Sequence, residues 1–166
     1  MLLAEIAAVY QAGFSSFLRV AAAILGDVER GRDVVQDAFA RAIVRRRDFR
    51  GDGALDAWLW KIVVNHARNC RRHERPVTRL DDRPNNDETA PTVDAGDAGL
   101  RRLIALLPER QRTALFLRYY ADLDYEQIAH ALGIRPGTVG ATLNAAHRTL
   151  RGRLEASGIP DREESQ

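Results

Sequence analysis

The run from Leu123 to Leu143, LDYEQIAHALGIRPGTVGATL, leaves little freedom in how it can fold. Asp124 and Gln127 have capping-box spacing at the head of a helical period, which starts a short helix at Tyr125. Gly133 stops that helix, because a residue without Cβ enters the left-handed conformation at little cost. Pro136 restarts a helix, since the first turn needs no amide donor, and this second helix runs to about Glu155. A short helix, a glycine turn and a longer helix form the arrangement that lays the second helix in a DNA major groove. Its periodicity predicts Val139, Leu143, Ala146, Leu150 and Leu154 as the packing stripe. Gly137, Thr138, Ala141, Ala145 and Arg148 face outward, with Thr142 and Asn144 toward the flanks. A plain helical hairpin shares this outline, but the cap, the turn and the Thr-Val opening together favour DNA binding.

The rest of the chain is also helical in pattern. Ala, Leu and Arg dominate its 166 residues and aromatics make up 7%, which favours an all-α fold. Leu3, Ile6, Val9, Tyr10, Phe14, Phe17, Leu18 and Ala21 recur at helical spacing over Leu2 to Leu25, ending at Gly26, with Asp27 placed to cap the next helix. That second helix extends to about Asp48. The loop Phe49-Arg-Gly-Asp-Gly53 follows, and Asp56 is expected to cap a third helix reaching about His73. Residues 77–99, rich in Asp, Asn, Pro, Thr and Gly, lack this periodicity. Leu100 to Leu107 then forms a short helix, and Pro108 opens another with Glu109 near its positive end, continuing to about Tyr120. The expected organisation is two small helical domains, 1–76 and 100–155, joined by a flexible acidic linker at 77–99 and followed by a disordered tail at 156–166.

Charge divides along the same lines. Ten Lys or Arg against four acids lie between Arg41 and Arg75, whereas six acids against two arginines lie between Val77 and Gly99. On the third helix Lys61, Asn65, Arg68 and Arg72 fall at helical spacing, with Arg71 beside them. Leu59, Ile62, Val63, His66, Ala67 and Cys70 take the opposite side. Such a basic stripe neutralises phosphates whatever their sequence. Trp58 and Trp60 flank it, and an indole is a surface on which an unpaired base stacks. Core packing is the competing reading for both, more for Trp58 than for Trp60.

Several classes are disfavoured. A single cysteine, Cys70, permits no intramolecular disulfide and no cysteine-cluster metal site, and its apolar face suggests an inert thiol. The N-terminus lacks the basic lead of a signal peptide, and no stretch reads as long and apolar enough to span a bilayer, so a cytoplasmic protein without membrane insertion is expected. His66, His73, His130 and His147 have no assembled partners and no glycine-rich phosphate loop is present, so neither an enzyme nor a cofactor- or metal-dependent protein is expected.

The segment LLPERQRTALFLRYYADLDYEQIAHALGIRPGTV resembles the fourth region of the extracytoplasmic-function sigma factors, bacterial subunits that direct RNA polymerase to promoters. GDVERGRDVVQDAFARA resembles the core-binding helix of the same family, and FRGDGALDAWLWKIVVNHARNCRR its promoter-melting segment. The resemblance implies that Asp33, Gln36, Asp37 and Arg41 bind core RNA polymerase, although the residues alone show only a polar patch and favour a solvated face. It implies that Phe49 and its loop help capture a flipped base of the minus-ten element, beside Trp58, Trp60, Lys61, Asn65, Arg68, Arg71 and Arg72. The linker matches in position the connector that threads the polymerase, a plain tether being the simpler reading. Control by an anti-sigma factor is implied as well.

Departures from the family fall on the second helix of the helix-turn-helix. Arg135 stands where a capping Ser or Thr is common, and Gly140, Ala141, Ala145 and Ala146 replace frequent polar or basic residues. Arg135, Thr138, Thr142 and Arg148 remain as candidates for the minus-thirty-five element, with helix-start amides available to a phosphate. The expected function is therefore a sigma factor that binds core polymerase, recognises promoter DNA and opens it. The alternative is a helix-turn-helix repressor or activator that never engages polymerase, which leaves the DVVQDAF helix and the tryptophan-bearing stripe without a use.

Overall fold

The computed structural model describes residues 2–74 and 97–158. Helix α1 (Leu2–Leu25) turns at Gly26, whose φ of 76° is left-handed, into α2 (Val28–Val44). Asp27 caps α2, its carboxylate accepting from the Arg30 amide at 3.0 Å, as its position in the sequence implied. The two helices meet closely at Gly31, where a Cβ would stand 2.8 Å from the Ala22 nitrogen. Only glycine permits that approach. Ile6, Phe17, Val20, Ala21 and Ile24 form the buried face of α1, against Val34, Val35, Ala38, Phe39 and Ala42 of α2. Edge-to-face rings run through the contact: Tyr10 lies 4.9 Å and Phe17 5.0 Å from Phe39, centre to centre.

The second helix is shorter than its period suggested, ending at Val44 and followed by a 3-10 turn over Arg46–Asp48. Helix α3 (Leu55–Glu74) begins one residue before the expected cap. The Ala54 carbonyl starts its ladder by accepting from Trp58, so Asp56 lies inside the first turn, where its charge complements the positive helix end instead of capping it. A wide arc of α3 is buried, comprising Ala57, Leu59, Trp60, Val63, Val64, His66 and Ala67.

One sequence expectation fails on α1. Its 24 residues include an 18-residue window of mean hydropathy 1.3, so by length and composition it could cross a bilayer. The reason is a solvent side built from alanines among few charges: Ala4, Ala7, Ala8 and Ala12 are exposed beside Glu5 and Gln11. Ile6, Phe17, Val20 and Ile24 are buried in the core that α1 shares with α2 and α3, while Leu3 adds an exposed apolar side chain.

The C-terminal part contains α4 (Asp97–Ala105), α5 (Glu109–Tyr119), α6 (Tyr125–Leu132) and α7 (Pro136–Ser157). Helix α4 starts within the span read as linker, while α7 passes two residues beyond its expected end; residues 75–96 and 159–166, which hold the end of the first expected domain and the remainder of the linker and tail expectations, lie outside the described residues. Pro108 is the cap position of α5 and Glu109 its first residue. Helix α6 carries the full capping box: the Gln127 amide donates to Asp124 at 2.8 Å and the Asp124 amide to the Gln127 side chain at 2.9 Å. Gly133 closes it with a φ of 66°. Val139, Leu143, Ala146 and Leu150 are buried along α7 as its period requires, with Leu154 only half-buried. Buried Arg112 ties α5 to the end of α4 by donating to the Ala105 carbonyl at 2.8 Å.

Among the described residues the fold is all-α. The two parts pack together, α6 along α3 and α5 against α1.

Candidate nucleic-acid interface

Helix α2 presents Asp33, Gln36, Asp37 and Arg41 to solvent on one side, while Val34, Val35, Ala38 and Phe39 bury the other. The spacing of three to four residues makes the polar set continuous. Asp37 also reaches toward His66 of α3, whose Nε2 lies 3.7 Å from its carboxylate. Burial and then Arg41 lower the pKa of His66 below 6.5, against the pull of Asp37, so the imidazole is neutral near pH 7. His66 is thus a core residue, half-facing Cys70, whose Sγ lies 4.0 Å from its Nδ1.

The DNA-facing candidates on α3 separate by environment. Lys61, Asn65 and Arg72 are exposed. Arg68 is half-buried and donates through Nε to Glu109 of α5 at 2.8 Å. Arg71 donates to the Ile24 carbonyl at 2.9 Å, binding α3 to the last turn of α1, where a cation also complements the helix dipole. Phe49, half-buried after the 3-10 turn, lies 5.5 Å ring to ring from half-buried Trp58. A loop aromatic and a helix aromatic therefore share one position beside the exposed cations.

Trp60 departs from expectation. It is 4% exposed and stacks on Phe17 with ring centres 4.0 Å apart, so it offers no face to a base. Helix α3 is covered by both α1 and α2, and its buried arc is wider than a helix resting on a single neighbour would have. That arc takes in Trp60 and leaves Trp58 at its edge.

On α7 Arg135, Thr138 and Arg148 are exposed and Thr142 is half-buried. Arg135 holds the cap position with an extended backbone and makes no side-chain cap bond, as its departure from Ser or Thr implied. The Thr142 hydroxyl donates to the Thr138 carbonyl at 2.7 Å, so its proton is used within the helix and only its lone pairs remain for a ligand. Thr142, Ala141 and Ala145 line a shallow groove with Pro108, Arg110 and Gln111 of the α5 start. Arg110 and Gln111 escaped the sequence reading, because nothing in their local pattern shows that the start of α5 reaches the outward side of α7. Further along, Tyr119 and His147 join α5 to α7 through a 2.9 Å hydrogen bond.

Comparison with known proteins agrees with this division. Residues 10–76 match sigma-70 region 2 and residues 98–150 match sigma-70 region 4. The chain is 34% identical over 145 residues to the RNA polymerase sigma-H factor of Pseudomonas aeruginosa, covering 78% of this chain and 75% of that one. It is 31% identical over 153 residues to the extracytoplasmic-function sigma-E factor of Escherichia coli, covering 78% and 75%. It is 30% identical over 151 residues to the sigma-E factor of Streptomyces coelicolor, covering 89% and 84%. Among solved structures, the sigma factor RpoE of Bartonella quintana, bound to the anti-sigma factor NepR, superposes with a TM-score of 0.71 at 19% identity over 91% of this chain and 97% of its own. CnrH, bound to the cytosolic domain of CnrY, superposes with a TM-score of 0.67 at 23% identity, covering 91% and 88%.

Proposed function

The chain belongs to the extracytoplasmic-function sigma factors of the sigma-70 family, and from that premise we propose which of its surfaces perform each step of promoter-specific transcription initiation. The polar side of α2, with Asp33, Gln36, Asp37 and Arg41, docks on core RNA polymerase. Two features support this reading: the residues are exposed together, and the same helix is rigidly seated on α1 through Gly31. A rigid element presents a charged patch at less entropic cost than a loop does.

Helix α3 engages the minus-ten element. Lys61, Asn65 and Arg72 supply phosphate contacts from exposed positions, with Arg68 as a further cation. Phe49 and Trp58 receive an unpaired base, where stacking contributes about 1–3 kcal/mol. That is the scale needed to offset flipping one base. Opening is then driven by holding the single strand, and the chemistry of RNA synthesis is left to the polymerase. Helix α7 positions the chain on the minus-thirty-five element through Arg135, Thr138 and Arg148, with Thr142 as an acceptor. Its alanine-lined outer side brings the backbone close to DNA and makes few direct base contacts. Residues 1–76 and 100–155 are the two working parts, in a cytoplasmic protein. Control by an anti-sigma factor is part of the reading, supported by a solved sigma factor of this fold, RpoE, that is held by the anti-sigma factor NepR.

The observation that carries this assignment is the order of surfaces along a single chain: an exposed polar patch on α2, a basic stripe beside paired aromatics on α3, and a helix-turn-helix at α6–α7. Capture of core polymerase by the immobilised chain tests the first of them. The double substitution Asp33→Arg and Gln36→Arg is expected to weaken capture by at least about tenfold, the scale of losing a few buried interface contacts, with thermal unfolding unchanged because both side chains are exposed. Undiminished capture would remove α2 from the docking surface.

A further inference from the structure

The Arg68–Glu109 ion pair has no part in the steps above, yet it joins α3 of the N-terminal part to α5 of the C-terminal part. The pair is shielded, with side chains 19% and 22% exposed. Burial alone would raise the pKa of Glu109. It is instead lowered, because the hydrogen bond and charge of Arg68, followed by the charges of Arg71 and Arg72, outweigh that burial. The carboxylate therefore sits among the guanidinium groups that belong to the basic stripe. Close by, α6 runs along α3, and His130 is near enough to Lys61 for that charge to oppose its protonation, after burial, which acts in the same direction.

Carboxylate and phosphate oxygens satisfy an arginine fork in the same way, so Arg68 can serve one of them at a time. Resting on the assignment of α3 to promoter DNA, we propose that Glu109 is an internal stand-in for a DNA phosphate, holding the C-terminal part over one flank of α3. The closed chain withholds Arg68 and crowds its neighbours, and the stripe binds DNA once α5 and α6 move away. A chain that is competent only when open binds with an affinity reduced by its open fraction, and removing the latch restores it.

The test uses the full chain without polymerase. Binding of a fluorescein-labelled mixed-sequence single-stranded DNA is compared between wild type, Glu109→Gln and Glu155→Gln. The last removes the same charge from an exposed position near the end of α7. Glu109→Gln should tighten binding at least about fivefold, the lower end of usual coupling between sites, against less than about twofold for Glu155→Gln. Its radius of gyration by small-angle X-ray scattering should also increase. Equal gains in the two variants, or an unchanged radius, would overturn the latch, and do so without touching the assignment of α3 if the wild type still directs initiation with core polymerase. Absence of DNA binding in every variant, with core polymerase present as well as absent, would overturn the latch together with the assignment on which it rests.

Discussion

Trp58 and Trp60 stand two positions apart on α3, about 200° around the helix at 3.6 residues per turn, and they meet different surroundings. Trp60 fills the core against Phe17, whereas Trp58 sits at the edge beside Phe49. Trp60→Ala is accordingly expected to cost about 3–5 kcal/mol of stability, read in urea unfolding, with any loss of promoter opening following from unfolding. Trp58→Ala should leave most of that stability in place and reduce strand opening, read as permanganate reactivity of thymines in the open complex. A stable Trp60→Ala protein, or normal opening by Trp58→Ala, would reverse the two roles. Sequence alone favoured Trp60 as the base-facing ring, because a period shows which residues share a side but not how many neighbours cover a helix. Arg71 shows the same blindness: its place beside the stripe was legible, but its bond to the Ile24 carbonyl depends on where α1 ends in space.

Among the elements, the most legible were those whose ends are written in local chemistry. Asp27, Asp124 with Gln127, and Gly133 each act within a few residues of themselves, and the structure places each in the predicted role. Asp56 was misplaced because Ala54, which has no capping side chain, supplies the first carbonyl of α3. The α1–α2 seat was not legible, since Gly31 sits inside a helical period and only its distance to Ala22 explains it. Gly31→Ala would gain helix propensity but force the two backbones apart, and overpacking of that kind typically costs about 1–3 kcal/mol. A midpoint lowered in urea unfolding, with weaker capture of core polymerase as α2 shifts, is the expected outcome. An unchanged or raised midpoint would mean that the hairpin yields without strain.

At the scale of the whole molecule, two parts recognisable separately in the sequence are packed as one body, α3 against α6 and α1 against α5. Their contact was invisible beforehand because Arg68 and Glu109 lie 41 residues apart and each had a sufficient local explanation, one as a stripe cation and the other as a favourable charge at a helix start. The polar side of α2 remains open in this arrangement. In the proposed reading polymerase takes hold of α2 first and draws α5 and α6 from α3 afterwards, so that docking precedes promoter opening. The most direct measurement of the central claim is transcription in vitro with purified core RNA polymerase, on a promoter mapped from transcripts that rise when this chain is overproduced. The account predicts RNA from that start only when the chain is added. It would be contradicted by a chain that neither joins core polymerase nor changes where transcription begins.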